Sequence, residues 1–361
     1  MDKEKQDRLA RRISAVRLEM EKKSVEAYLV SKKENRYYYS LFKSTSFHLI
    51  ITREENYLLT DFRYIEAAGD LEPLYKVVET RNGYGLEEFL SGLGLRNLAT
   101  EFDDCTVSFY NKLKKALPGT ELQSFDGVTS KIRSIKDSAE LEATKQAEHI
   151  GDLAFAYILG EIRPGVSEKE IALRLELKMR ELGASGLSFD TICVSGVRSS
   201  MPHGEPSDKL IEKGDFVTMD FGCIYHGYCS DMTRTVAVGS VTDKQRRVYE
   251  TVLEAQRAAA EVMKPGVRAA DVDKAARDVI DQAGFKGCFG HSLGHGTGLE
   301  IHETPFASPV SRDVLQAGMT LTDEPGIYIP GEFGVRVEDL CAITENGIIN
   351  FTESEKELII L

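Results

Sequence analysis

Hydrophobic and polar positions alternate with different periods along the chain. The first 24 residues, MDKEKQDRLARRISAVRLEMEKKS, are dense in charge and helical in period. FHLIITREENYLLT reads as two short strands around a polar turn. KVVET, LEEFLSGLG and NLATEF continue the alternation, and a helix is predicted over 107–117. These stretches describe an α/β domain over residues 1–130, and most of its motifs carry no chemistry. Asp137-Ser138-Ala139-Glu140 has the form of a capping box, so a long helix is predicted from there to about residue 162. The boundary therefore falls near 129–136, with a second domain over 131–361.

The second domain repeats itself. Pro164-Gly165-Val166 follows one helix and precedes another, predicted over 168–182 and stopped at Gly183. Pro265-Gly266-Val267 does the same before a helix predicted over 270–283 and stopped at Gly284. The offset is 101 both times (265 − 164, 284 − 183). Each copy then enters a glycine-led strand, KGDFVTMDFG and AGMTLTDEPG, with Gly214 and Gly318 offset by 104. Two helices followed by a hairpin, used twice, predict a pseudo-twofold body, so the chain is expected to be mixed α/β (α+β) throughout.

The hairpins carry the first chemistry. Asp220 ends FVTMD and Asp231 sits in CSDMTRTVAV, with Tyr225-His226-Gly227 between them. Facing residues of a hairpin share one index sum. A loop at 225–226 gives 451 and pairs the two aspartates directly; a loop at 226–227 gives 453 and makes them diagonal neighbours. Side chains alternate with period two, so either register puts both carboxylates on one face. Glu324 and Glu338 flank 330–334 with an even sum, and an odd loop centred on Gly331 or Glu332 also gives them one face. Four carboxylates in apolar strands need cations. Neither stretch holds a lysine, although Arg234 and Arg336 are near, so divalent metal is expected.

GHSLGHGTGLEIHE then places His291, His295 and His302 among glycines; the chain has seven histidines in all. The glycines argue against a helix, and HSLGH lacks the glutamate of a helical zinc-protease motif. Glycines flank His295 on both sides and let backbone approach an ion. One imidazole and four carboxylates make a mixed N/O set for two divalent ions, suited to Mn, Co, Fe or Zn rather than Mg alone.

Composition narrows the partners. Net charge is -13, which disfavours nucleic acid. The six cysteines are scattered without a CxxC, as expected of reduced thiols in a cytoplasmic protein. No signal-peptide block and no apolar run long enough to span a bilayer is present, so no membrane partner is expected.

Together these residues resemble the metallopeptidases of the creatinase/methionine aminopeptidase (pita-bread) fold, closest to the Xaa-Pro branch of aminopeptidase P and prolidase. The resemblance covers nearly the whole chain and rests on SFDTICVSGVRSSMPHG, MDFG, SDMTRT, HSLGHGTGLEIHE, TDEPGIY and VRVED in that order, with NRYYYSLF and TDFRY in the first half. It implies Asp220, Asp231, His295, Glu324 and Glu338 as metal ligands, with Mn or Co the leading metals. It implies His203 and His302 as histidines on the substrate side, and His291, Thr233 and Arg336 as supports behind the ligands. The implied reaction is metal-assisted hydrolysis of the bond before proline in an Xaa-Pro peptide. An activated water attacks the carbonyl, Glu324 shuttles the proton and His302 helps steady the oxyanion. A homodimer through the N-terminal domain is also implied.

Proline selectivity calls for an apolar ring pocket, and Phe189, Tyr225 and Tyr328 are expected as its walls. Trp is absent from the chain, so any aromatic clamp uses other rings. Where prolidases often place an arginine after the substrate histidine, this chain reads HETPFASPVSRD, with Phe306 at that place and Arg312 further on. Dipeptidase and aminopeptidase P therefore both stay open. A methionine aminopeptidase shares the ligands but usually lacks the first domain. A creatinase-type enzyme or a non-catalytic protein reusing the fold would not need five intact ligands.

Overall fold

The computed structural model describes residues 1–361, which divide into two compact units, Met1–Arg133 and Ser134–Leu361. The first opens with a helix, Lys3–Lys22, capped by the Asp2 carboxylate accepting from the Lys5 amide. Leu9, Ile13, Val16 and Met20 recur at three- or four-residue steps and are buried along one stripe. A six-stranded mixed sheet follows, in the order Lys76–Glu79, Asn56–Thr60, Phe47–Thr52, Ala27–Val30, Asn97–Thr100, Glu121–Ser124. FHLIIT and NYLLT form its antiparallel hairpin, Phe47 opposite Thr60 and Ile51 opposite Asn56.

The second unit begins at Asp137, whose side chain accepts from the Ala139 and Glu140 amides while Glu140 reaches back to the Asp137 amide. The helix it starts, Ser138–Ile158, ends one turn short of the expected residue 162. Its partner, Glu168–Glu181, stops before Gly183. The second copy supplies Asp243–Val262 and Ala269–Ile280, followed by a single wide turn, Asp281–Phe285, in which Gly284 takes a positive φ of 93°.

The matched glycines explain why the repeat is visible. Gly165 and Gly266 have φ of 88° and 86°, and Gly214 and Gly318 have 94° and 89°. These are left-handed conformations that favour glycine. Each Pro-Gly turn is tied the same way. The Gly165 amide donates to the Ile211 carbonyl and the Gly266 amide to the Leu315 carbonyl, both at 2.9 Å. Each copy also closes its own core. Ile150, Ile171, Val217 and Met232 pack in one, and Val252, Val272, Leu321 and Val335 in the other.

The strands Phe216–Phe221 and Met232–Ala237 pair with Thr233 opposite Asp220, and Ile224 lies opposite Cys229. Every pair sums to 453, so the loop is His226-Gly227, both with positive φ (50° and 93°). Asp220 and Asp231 are therefore diagonal neighbours. In the second copy Asp323 faces Asp339 and Gly326 faces Arg336, both summing to 662. That sum sets Glu324 opposite Glu338 around the three-residue loop Pro330-Gly331-Glu332. The Glu338 amide donates to the Thr233 carbonyl at 3.0 Å and joins the two hairpins.

Candidate metal centre

The two hairpins turn their carboxylates to one place. Ligand oxygens of Asp220, Asp231 and Glu338 lie within 4.8 Å of one another. His295 Nε2 stands 3.5 Å from Asp231 Oδ2 and 3.5 Å from Glu324 Oε1. His295 reaches this point on a short strand, Gly294–Gly296, held against Thr320–Asp323 by its own amide donating to Thr322 Oγ1. Gly294 permits that approach: a Cβ there would meet the Thr322 carbonyl oxygen at 2.0 Å.

Arg336 organises the set from behind. Its Nη2 donates to Asp220 Oδ2 at 2.6 Å, its Nε to Thr233 Oγ1 at 3.0 Å and its Nη1 to the Tyr328 hydroxyl at 2.7 Å. Thr233 Oγ1 in turn donates to Glu338 Oε2 at 2.7 Å. His291 Nδ1 lies 2.8 Å from the Ser292 carbonyl and its Nε2 lies 2.9 Å from the Tyr328 hydroxyl. The carbonyl can only accept, so Nδ1 carries the proton and Tyr328 donates to Nε2. Arg234 faces the other way, toward Asp339 and the Glu338, Ser354 and Glu355 carbonyls. Residues 338 and 339 point to opposite faces of the sheet, which is why only one of the two arginines reaches the cluster.

The electrostatics call for added positive charge. Asp231 and Glu338 are pushed well above the carboxylate range by burial and then by neighbouring carboxylates. Burial pushes Glu324 up to about 8, with Arg336 opposing. His295 is lowered to about 4, chiefly by burial and then by His302. Its imidazole is therefore neutral, and its Nδ1 lies 3.2 Å from the Gly296 carbonyl. That contact holds the proton on Nδ1 and leaves the Nε2 lone pair aimed at two carboxylate oxygens. Lone pair and oxygens repel unless a proton or a cation lies among them. Asp220 Oδ1 is buried with no hydrogen-bond partner, while Oδ2 is taken by Arg336. Neutral imidazole, converging carboxylates and an orphaned oxygen fit divalent metal of borderline softness.

The cluster forms part of a cavity of about 950 Å³. His203 and His302 line it with exposed rings, and His302 packs edge-on to His295 with centroids 4.3 Å apart. Phe189 lines it too, as does Phe306. Tyr225 and Tyr328, expected as walls, do not line it. Tyr225 closes the tip of its hairpin and stacks on His226, and Tyr328 is buried with its hydroxyl shared between Arg336 and His291. Arg312 does not line the cavity either.

Sequence reading missed three buried glutamates. Glu148 accepts from the Asp231 amide at 3.1 Å and from Thr352 Oγ1. Glu168 accepts from the Ser195 and Ser207 amides and from Arg198, bracketing the segment that carries His203. Glu303 accepts from the Glu300 amide and meets Lys136 at 3.4 Å, pinning the loop that carries His302. Glu148 left a signal: it lies on the helix stripe with Thr144, Ala147 and Gly151, all buried.

Residues 142–345 match the model of metallopeptidase family M24, and residues 12–135 match the creatinase/prolidase N-terminal domain. The chain is 41% identical over 342 residues to an Xaa-Pro dipeptidase of Pyrococcus horikoshii, covering 94% of this chain and 96% of that one. It superposes on the structure of an Xaa-Pro dipeptidase from Bacillus anthracis with a TM-score of 0.94 and 42% identity, covering 98% and 100%. An X-Pro aminopeptidase from Thermotoga maritima matches with a TM-score of 0.88 and 35% identity, covering 97% and 99%. With matched models spanning both units and acidic hairpins converging on a neutral histidine, the chain belongs to metallopeptidase family M24 and carries a creatinase/prolidase N-terminal domain ahead of its peptidase domain.

Proposed function

We propose that this peptidase hydrolyses the bond preceding proline in Xaa-Pro peptides, with its chemistry in the unit Ser134–Leu361. The observation that carries the reading is the neutral His295 aiming Nε2 at Asp231 and Glu324 beside the orphaned Asp220 oxygen. Asp220, Asp231, His295, Glu324 and Glu338 would hold two divalent ions, which when bound lower the pKa of a water and polarise a carbonyl. The N/O donor set supports Mn or Co, with Zn and Fe as the other candidates.

The chain's own residues supply the rest. Glu324 takes a proton from the attacking water and delivers it to the leaving prolyl nitrogen. His203 and His302, exposed in the cavity wall, donate to the peptide carbonyl and steady its developing negative charge. Arg336 turns one Asp220 oxygen away and leaves the other facing the cluster, while Thr233 fixes Glu338. Phe189 offers an apolar wall for the proline ring. Scattered free cysteines support a cytoplasmic setting, and no helix is long and apolar enough to cross a membrane. The N-terminal unit is read as the homodimer surface, which mass measurement in solution would test.

Metal analysis and a peptide assay test the reading together. About two divalent ions per chain are expected, with cleavage of Xaa-Pro peptides after loading with Mn²⁺ or Co²⁺. Preference for Met-Xaa peptides without proline would point to a methionine aminopeptidase. Absence of both metal and cleavage would point to a non-catalytic protein.

A further inference from the structure

The cavity walls bear on which Xaa-Pro peptides enter. At about 950 Å³ the cavity is at the upper end of small-molecule pockets, ~300–1,000 Å³. Beyond the metal cluster its charged lining is three carboxylates and Lys169. Glu176 projects from the helix Glu168–Glu181, and Asp190 and Glu205 stand exposed on the loops beside it. None of these three carboxylates takes part in a hydrogen bond or ion pair.

Only two fixed cations line the cavity, and both are engaged. Arg336 is buried and spends its guanidinium on Asp220, Tyr328 and Thr233. Lys169 Nζ lies 3.0 Å from both carboxylate oxygens of Asp208. His203 and His302 offer ring donors but no fixed charge. A free carboxylate on the proline would enter a partly desolvated space whose uncommitted charges are all negative. An amide, or a peptide bond leading onward to solvent, brings no such charge.

We propose that Glu176, Asp190 and Glu205 act as a charge filter, so that the preferred substrates are Xaa-Pro peptides extended or amidated beyond proline rather than free Xaa-Pro dipeptides. This rests on the reading of the site as one that cleaves before proline. The filter works by repulsion of the wrong substrate, a common route to selectivity.

The test compares kcat/KM of the metal-loaded enzyme for Gly-Pro, Gly-Pro-amide and Gly-Pro-Ala, at low and high salt. Proline and prolinamide are also titrated as product ligands by calorimetry. The amide and tripeptide are expected to exceed the dipeptide by about tenfold or more, with prolinamide binding more tightly than proline. The gap should narrow in high salt and in the triple variant Glu176→Gln/Asp190→Asn/Glu205→Gln. Lys169→Met should leave the amide and tripeptide rates unchanged. A dipeptide cleaved as well as its amide would overturn the filter. So would a Lys169→Met enzyme that loses the dipeptide alone, because Lys169 would then anchor the carboxylate. Failure of all three peptides would overturn the parent reading and the filter with it.

Discussion

A single nitrogen, His295 Nε2, concentrates the case for metal, because its lone pair faces the oxygens of two carboxyl groups. His295→Ala removes the proposed nitrogen ligand, and Glu324→Ala removes both a proposed ligand and the proposed proton carrier. Each is expected to abolish turnover. The acid–base share alone is worth about 10²–10⁴-fold, and metal analysis should show lost ions in parallel. Near-normal rates at saturating metal would contradict the assignment. Arg336 acts one step back, so Arg336→Met should cost about 10- to 100-fold in activity or metal affinity. Arg336→Lys should recover little, since an ammonium cannot reach Asp220, Thr233 and Tyr328 at once. The carboxylates were legible in the sequence because a two-residue loop in the first hairpin and an odd loop in the second put each pair on one face, and the structure has a loop of each kind. Tyr328 was misjudged because an aromatic residue in a strand looks alike whether it lines a pocket or donates from behind. Glu168 and Glu303 escaped because their partners lie 27 and 167 residues away.

Among the elements, the repeat could be read since glycine marks its turns, and the structure shows positive φ at each matched pair. Register could not be read, because two loop positions fitted the first hairpin and only its His226-Gly227 turn selects 453. Close approach between strands was likewise invisible before the fold was known. A Cβ on Gly222 would meet the Ser230 carbonyl oxygen at 2.0 Å, between Asp220 and Asp231. Gly222→Ala is therefore expected to cost ~1–3 kcal/mol in stability and to lower activity further by shifting one aspartate against the other. Thermal melts and kinetics of the same variant check both. The strand Phe47–Thr52 carries a separate pH signature. His48 is lowered to about 4, first by burial and then by Arg36. Its folded value lies below its unfolded value near 6.5, so protonation favours unfolding. The stability linked to neutral His48 is complete above pH 6.5 and is lost as pH falls toward 4. That loss amounts to ~3 kcal/mol at most. Urea melts from pH 7 to 4 should show a shallower decline for His48→Gln than for the parent chain; equal slopes would remove His48 from the account.

At the scale of the molecule, each copy of the repeat brings its own core and one acidic hairpin, and the copies meet where the Glu338 amide joins the Thr233 carbonyl. Four carboxylates share that seam with the Arg336 guanidinium. Burying like charges costs free energy unless cations compensate. Divalent ions bound there would couple the two copies as well as arm the site. Ligand that binds only the folded form stabilises by RT ln(1 + [L]/Kd), ~2.7 kcal/mol at a hundredfold excess over Kd. Chelation is therefore expected to lower the melting temperature and to stop turnover, with Mn²⁺ or Co²⁺ restoring both as concentration rises. Hydrogen exchange should localise the loss to the strands Phe216–Phe221, Met232–Ala237 and Thr320–Asp323, one copy as much as the other. The sheet of the first unit, Ala27–Val30 included, should keep its protection. Chelated protein with unchanged exchange across those strands would mean that the carboxylates are balanced without metal, and the ligand set would have to be abandoned. Loss confined to one copy would leave a metal site but break its role as the link between the halves of the repeat.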